Sequence, residues 1–154
     1  MAGGTTQVVV RDSASAPLTI TIPITVSSAA ANRFVLAGDV GGFAFAGSGL
    51  TRQEIGDAPV NIYAARYEGL SSVFAYVIEF SSRDAALNGR SLIDSRISRT
   101  AFSSETRNID GSDVAVYTGT GQSIVMWTFN NYVIIVTNLG TSAMPNDVIR
   151  AYLD

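Results

Sequence analysis

The sequence predicts an α+β fold: an antiparallel β-sheet with helices on one face, preceded by a β-rich N-terminal arm. Three observations carry this. Short apolar segments with period-two alternation recur along the chain, which is the mark of strands. Turn dipeptides separate them. Only two segments, 82–99 and 145–153, have helical spacing, so strands come in runs broken by single helices.

Taken from the N-terminus, residues 6–11 read as a short strand. Residues 18–27 give the clearest alternation, with Leu18, Ile20, Ile22, Ile24 and Val26 on one face and Thr, Pro and Ser on the other. Pro23 cannot donate to a ladder and places this strand at an edge or a bulge. Residues 33–37 and 42–46 read as two short strands around a glycine-rich turn. Thr51-Arg52-Gln53-Glu54 has the form of a capping box and predicts a helical turn. Pro59 marks a boundary. Residues 60–67 and 72–80 form a hairpin through Glu68-Gly69-Leu70-Ser71. A helix follows from Ser82 to about Arg99, in which Gly89 either weakens the helix or permits close packing. Strands at 102–108, 113–118, 123–129 and 132–138 make a meander with turns at Asp110-Gly111, Gly119-Thr120-Gly121 and Asn130-Asn131. Pro145 and Asn146 open a last helix. From residue 59 the order is β-β-α-β-β-β-β-α. Residues 1–50 form a β-rich arm or subdomain, and 51–154 an α+β domain.

Composition narrows the function. The 154 residues contain no cysteine, histidine or lysine; ten arginines stand against thirteen acids, for a net charge of −3. Zinc and copper sites lose their usual ligands, and a Ser-His-Asp triad cannot exist. Proton transfer is left to Asp, Glu or Tyr. No cofactor is expected, and no catalytic or metal residue is assigned. The acidic balance argues against nucleic acid. No apolar stretch reaches the roughly 18 residues a membrane span needs. Residues 1–6 do not have the basic and apolar regions of a signal peptide. An extracellular or cell-surface setting is favoured over others.

Charged residues are 15% of the chain, against roughly 25% in an average soluble protein. A surface so poor in charge invites cover by other copies. The strands at 72–80 and 132–138 are apolar on both faces, so both faces must be covered. The leading expectation is therefore a non-enzymatic structural protein that self-associates through β-strands, as a subunit of a surface filament, shell or homo-oligomer. Its assembly strand would be Leu18, Ile20, Ile22, Ile24 and Val26, inserted into a neighbour's sheet. The alternative is a small-molecule or peptide binding module that uses the aromatic residues Tyr63, Tyr67, Tyr76, Trp127 and Tyr132. A third reading is a carboxylate-dependent hydrolase built on Glu79, Asp110 and Asp113, with Glu105 nearby. Arg83, Arg90, Arg96 and Arg99 of the middle helix are candidates to hold an anion, although Asp84 and Asp94 interleave with them.

Overall fold

The computed structural model describes residues 34–100 and 102–154 in full, and the strand backbone of residues 5–8 and 22–25. Strands β1 (Thr5–Val8) and β2 (Ile22–Thr25) pair antiparallel, with Pro23 opposite Gln7. Leu18, Ile20 and Val26 of the expected assembly strand lie outside the described residues, as do the side chains of Ile22 and Ile24.

The main sheet has seven antiparallel strands in the order β3-β4-β5-β9-β8-β7-β6. Two meanders build it. The first is β3 (Ala44–Ile55), β4 (Ala58–Glu68) and β5 (Ser72–Glu79); the second is β6 (Ser103–Ile109), β7 (Ser112–Gly119), β8 (Gln122–Phe129) and β9 (Tyr132–Leu139). Helix α1 (Arg83–Ile97) carries the chain from β5 to the far edge, and the second meander returns until β9 pairs with β5. Helix α2 (Asn146–Leu153) follows β9.

The α+β class and the antiparallel sheet are as the sequence predicts. The helices, however, lie on opposite faces. Ala85, Ala86, Ile93 and Ile97 of α1 pack with Val60, Ile62, Phe74, Tyr76, Ile78 and Met126. Val148, Ile149, Tyr152 and Leu153 of α2 pack with the alternate residues, Tyr63, Tyr67, Val73, Val77, Val125, Trp127 and Val136. Phe34, Val35, Val40, Phe43 and Phe45 join α2 on its face. Central strands apolar on both sides need two covers, and one helix supplies part of each.

Three local expectations are also corrected. Thr51–Glu54 is strand, not a helical turn: Thr51, Arg52, Gln53 and Glu54 pair with Ile62, Asn61, Val60 and Pro59. A complete ladder outweighs the one or two hydrogen bonds of a capping box. Residues 34 and 35 form a turn and bend, so the first short strand expected there, 33–37, is not formed among the described residues; of the second, 42–46, an isolated bridge joins Val40 to Phe43 and residues 44–46 are strand, as the start of β3. Pro59 lies inside β4. The two-residue turn at Gly56-Asp57 makes Ile55–Ala58 a hydrogen-bonded pair, so Pro59 falls at a position whose nitrogen points away from β3. On its other side β5 has already ended, because Glu79 pairs with Asn61. β3 also crosses the division expected at residues 50 and 51, and all of it pairs within the main sheet from Ala44 onward.

The middle helix begins as its sequence dictates. The Ser82 hydroxyl accepts the Ala85 N–H at 3.1 Å, and Asp84 sits in the first turn. Gly89 permits close packing: a Cβ there would come within 2.2 Å of the buried Phe80 ring. Among the described residues no helix is long and apolar enough to cross a membrane.

Candidate functional site

On the α2 face, side chains directly opposite one another across the strands form rows. One row runs Leu50, Tyr63, Val77, Ile134, Trp127; the next, at the end of the sheet, runs Arg52, Asn61, Glu79, Tyr132, Phe129. Phe34 closes over both, its ring 4.9 Å from Tyr63 and 5.0 Å from Tyr132. Glu79 Oε2 accepts from Tyr63 Oη at 3.0 Å and from Asn61 Nδ2 at 3.2 Å. Further down the face, Tyr67 Oη donates to the Leu36 carbonyl at 2.8 Å and lies 2.8 Å from Tyr152 Oη, which accepts the Leu36 N–H. Burial pushes the Tyr67 phenol up, and the shared hydrogen bond with Tyr152 adds to this. The network pins the 34–36 segment to the sheet.

The five aromatic residues singled out in the sequence do not meet in one place. Tyr63, Tyr67, Trp127 and Tyr132 share the α2 face, and Tyr76 lies on the other, stacked on Phe74 at 6.4 Å. Tyr63, Tyr67 and Trp127 are core residues; the half-buried Phe34 and Tyr132 and the exposed Phe129 are the aromatic groups that solvent reaches at the sheet end. The carboxylates are dispersed as well. Glu79 is on the α2 face. Asp113 alternates with Val114 and so faces the other way, where Asn108 Nδ2 donates to it at 2.9 Å. Asp110 is held by Arg150 at 3.0 Å. Of the helix arginines, Arg90 donates to Thr128 Oγ1 at 3.0 Å, while Arg83, Arg96 and Arg99 are exposed.

The other candidate surface is the sheet edge at β6. Its sequence, SSETRNI, has no apolar face, and six of its seven residues are exposed. A strand polar on both sides belongs at an edge, and that composition is the signal by which sequence reasoning could have located it. The turn Asp110-Gly111, with φ of 49° and 87°, has both central residues left-handed, as a type I′ hairpin requires. Such a turn closes on a hydrogen-bonded pair, here Ile109 and Ser112. Alternation then makes Arg107–Val114, Glu105–Val116 and Ser103–Thr118 the hydrogen-bonded pairs. The N–H and C=O of Ser104, Thr106 and Asn108 therefore point outward, away from β7. Glu105 and Arg107 form an ion pair on the α2 face, each about half exposed, and Arg107 also reaches Met144 Sδ at 3.2 Å.

Comparison with protein-family models, with curated proteins and with solved structures gave no match.

Proposed function

We propose that this chain is a non-enzymatic structural subunit that joins other chains by extending its β-sheet. The observation that supports this reading best is β6: an edge strand with one hydrogen-bonded neighbour among the described residues, exposed on both sides, with three residues whose backbone groups face outward. Strand addition supplies affinity through main-chain hydrogen bonds and needs no pocket. The low charge of the chain fits a surface shared with other copies. The dispersal of Glu79, Asp110 and Asp113 gives a carboxylate-based hydrolase no paired acid and base to work with. Burial of Tyr63, Tyr67 and Trp127 leaves the binding-module reading resting on the sheet-end row of Glu79, Tyr132 and Phe129.

Light scattering on a sizing column, over a wide range of concentration, tests the assembly reading. A mass that climbs above 16.2 kDa with concentration supports it. A constant monomer mass at every concentration would sink it. Chemical-shift mapping with small aromatic or cationic probes tests the alternative, which predicts changes confined to Tyr132, Phe129 and their neighbours.

A further inference from the structure

The β6 edge carries a pattern that matches itself. Its outward-facing residues are Ser104, Thr106 and Asn108, all even-numbered, so an added antiparallel strand must place its own outward residues opposite them. For a second copy of β6 this restricts the register to a few choices. Centring the pair on Thr106 sets Thr106 opposite Thr106 of the second copy, and Ser104 opposite Asn108. All three outward positions on each strand are then used. Centring on Glu105 or on Arg107 uses two outward positions per strand and opposes Glu105 to Glu105 or Arg107 to Arg107, and centring on Ser104 or Asn108 runs part of the pairing off the strand, into residues 100–102 or the Asp110-Gly111 turn.

The same register decides the charges. With Thr106 at the centre, Glu105 falls opposite Arg107 of the second copy and Arg107 opposite its Glu105. Both are non-hydrogen-bonded pairs, the kind in which opposed side chains stand closest. None of the shifted registers opposes Glu105 to Arg107. In the single chain the two side chains already neutralise each other along the strand, so the edge approaches a copy of itself without net repulsion. Elsewhere charged residues guard an edge against pairing; here their order along the strand makes one pairing complementary.

We infer that two copies of the chain associate through antiparallel β6–β6 pairing about a twofold axis at Thr106, with reciprocal Glu105–Arg107 ion pairs. This rests on the assembly reading above and names its partner and register. The contact is isologous, so it closes as a dimer and does not propagate as a fibre by itself.

Charge reversal tests it on the full chain. Glu105→Arg presents two arginines, and Arg107→Glu presents two glutamates. In either variant both cross-strand pairs turn repulsive, which should weaken self-association by about tenfold. Mixed together, the two variants restore complementarity at both pairs and should form a heterodimer of near wild-type affinity. The double variant E105R/R107E should again self-associate. Thr106→Pro removes an outward N–H without touching a bond to β7, and should abolish pairing while circular dichroism and thermal unfolding stay close to wild type. Sizing with light scattering reads all of these. If the wild type associates but the reversals change nothing and the mixture forms no preferred heterodimer, the β6 register is wrong while sheet extension survives at another surface. If the wild type stays monomeric throughout, both readings fail. The mixing experiment decides the register even if Thr106→Pro fails to fold.

Discussion

Strands β5 and β6 are similar in length and belong to one antiparallel sheet, yet they are opposites. β5, SVFAYVIE, is buried at six consecutive positions, Val73 to Ile78; β6, SSETRNI, is exposed at six consecutive positions, Ser103 to Asn108. β5 has a neighbour on each side and a helical layer on each face. Among the described residues β6 has one neighbour, and its side chains are exposed. The backbone geometry is shared, so the difference lies in what the side chains must meet. Strand propensity is mostly a measure of that environment rather than an intrinsic preference. The polar strand is at the edge because no central position would tolerate it, and its outward backbone groups are open to a partner for the same reason.

The contrast predicts a gradient of effects. The largest falls at the centre. Val136, opposite Ala75 of β5 and fully buried, becomes an unpaired buried charge in Val136→Asp, which should cost more than about 4 kcal/mol and leave little folded protein by circular dichroism. A stable Val136→Asp variant would show that the central strands are less enclosed than described.

Alkaline pH comes next. Burial pushes the phenols of Tyr67, Tyr76 and Tyr117 well above their ordinary 10.0. An unfolded chain releases these protons near that value while the folded one holds them, so their contribution is full below about pH 10 and is lost as pH rises beyond it. Each such phenol should cost about 1.4 kcal/mol per pH unit in that range. With no histidine, cysteine or lysine, urea midpoints should be nearly level between about pH 6 and 9 and fall steeply above about 10. A decline beginning near neutrality would contradict the assignment.

Tyr67→Phe is a smaller perturbation. It keeps the ring against Phe45 and Tyr152 but removes the hydroxyl that binds the Leu36 carbonyl. The expected loss is about 1–2 kcal/mol, with faster amide exchange in residues 34–36. Unchanged exchange there would mean the hydroxyl does not hold the segment. The smallest effect belongs to the edge. Ser104→Ala should move stability by no more than about 0.5 kcal/mol, and it leaves the outward backbone groups in place, so association should persist.

Much of the fold was legible locally. The hairpin at Glu68–Ser71, the helix after Ser82 and the four-strand meander lie where alternation, capping and turn chemistry put them. The misreadings came where a local signal competed with a distant partner. Thr51 to Glu54 satisfy a capping pattern, but the facing residues 59–62 of β4 offer a continuous ladder. Pro59 looks like a terminator, yet a strand tolerates it wherever the missing N–H would have pointed at no neighbour. The candidate surfaces were half legible. The aromatic residues were identified, but their division between two faces follows from register, which one chain segment does not reveal by itself. The role of Phe34 and Tyr152 in pinning the α2 face was missed: helical spacing puts Tyr152 on the apolar side of the last helix with Val148, Ile149 and Leu153, but its hydrogen bonds to Tyr67 and Leu36 join residues far apart in sequence.

What the sequence determined alone is the set of elements and their two-sided apolar character, since period-two and helical spacing are properties of consecutive residues. It also determined the absence of cysteine thiol, histidine imidazole and lysine side-chain amine chemistry, which no folding can restore. What only the tertiary structure decided is which helix covers which face, which strand is left at the edge, and which way its backbone groups point. Those depend on how far the chain travels between strands. α1 carries it across the sheet to begin the second meander at the far side, so that β9 meets β5 and β6, among the described residues, has β7 as its one partner. Two apolar faces demand two covers, and the order of pairing settles where each one lies.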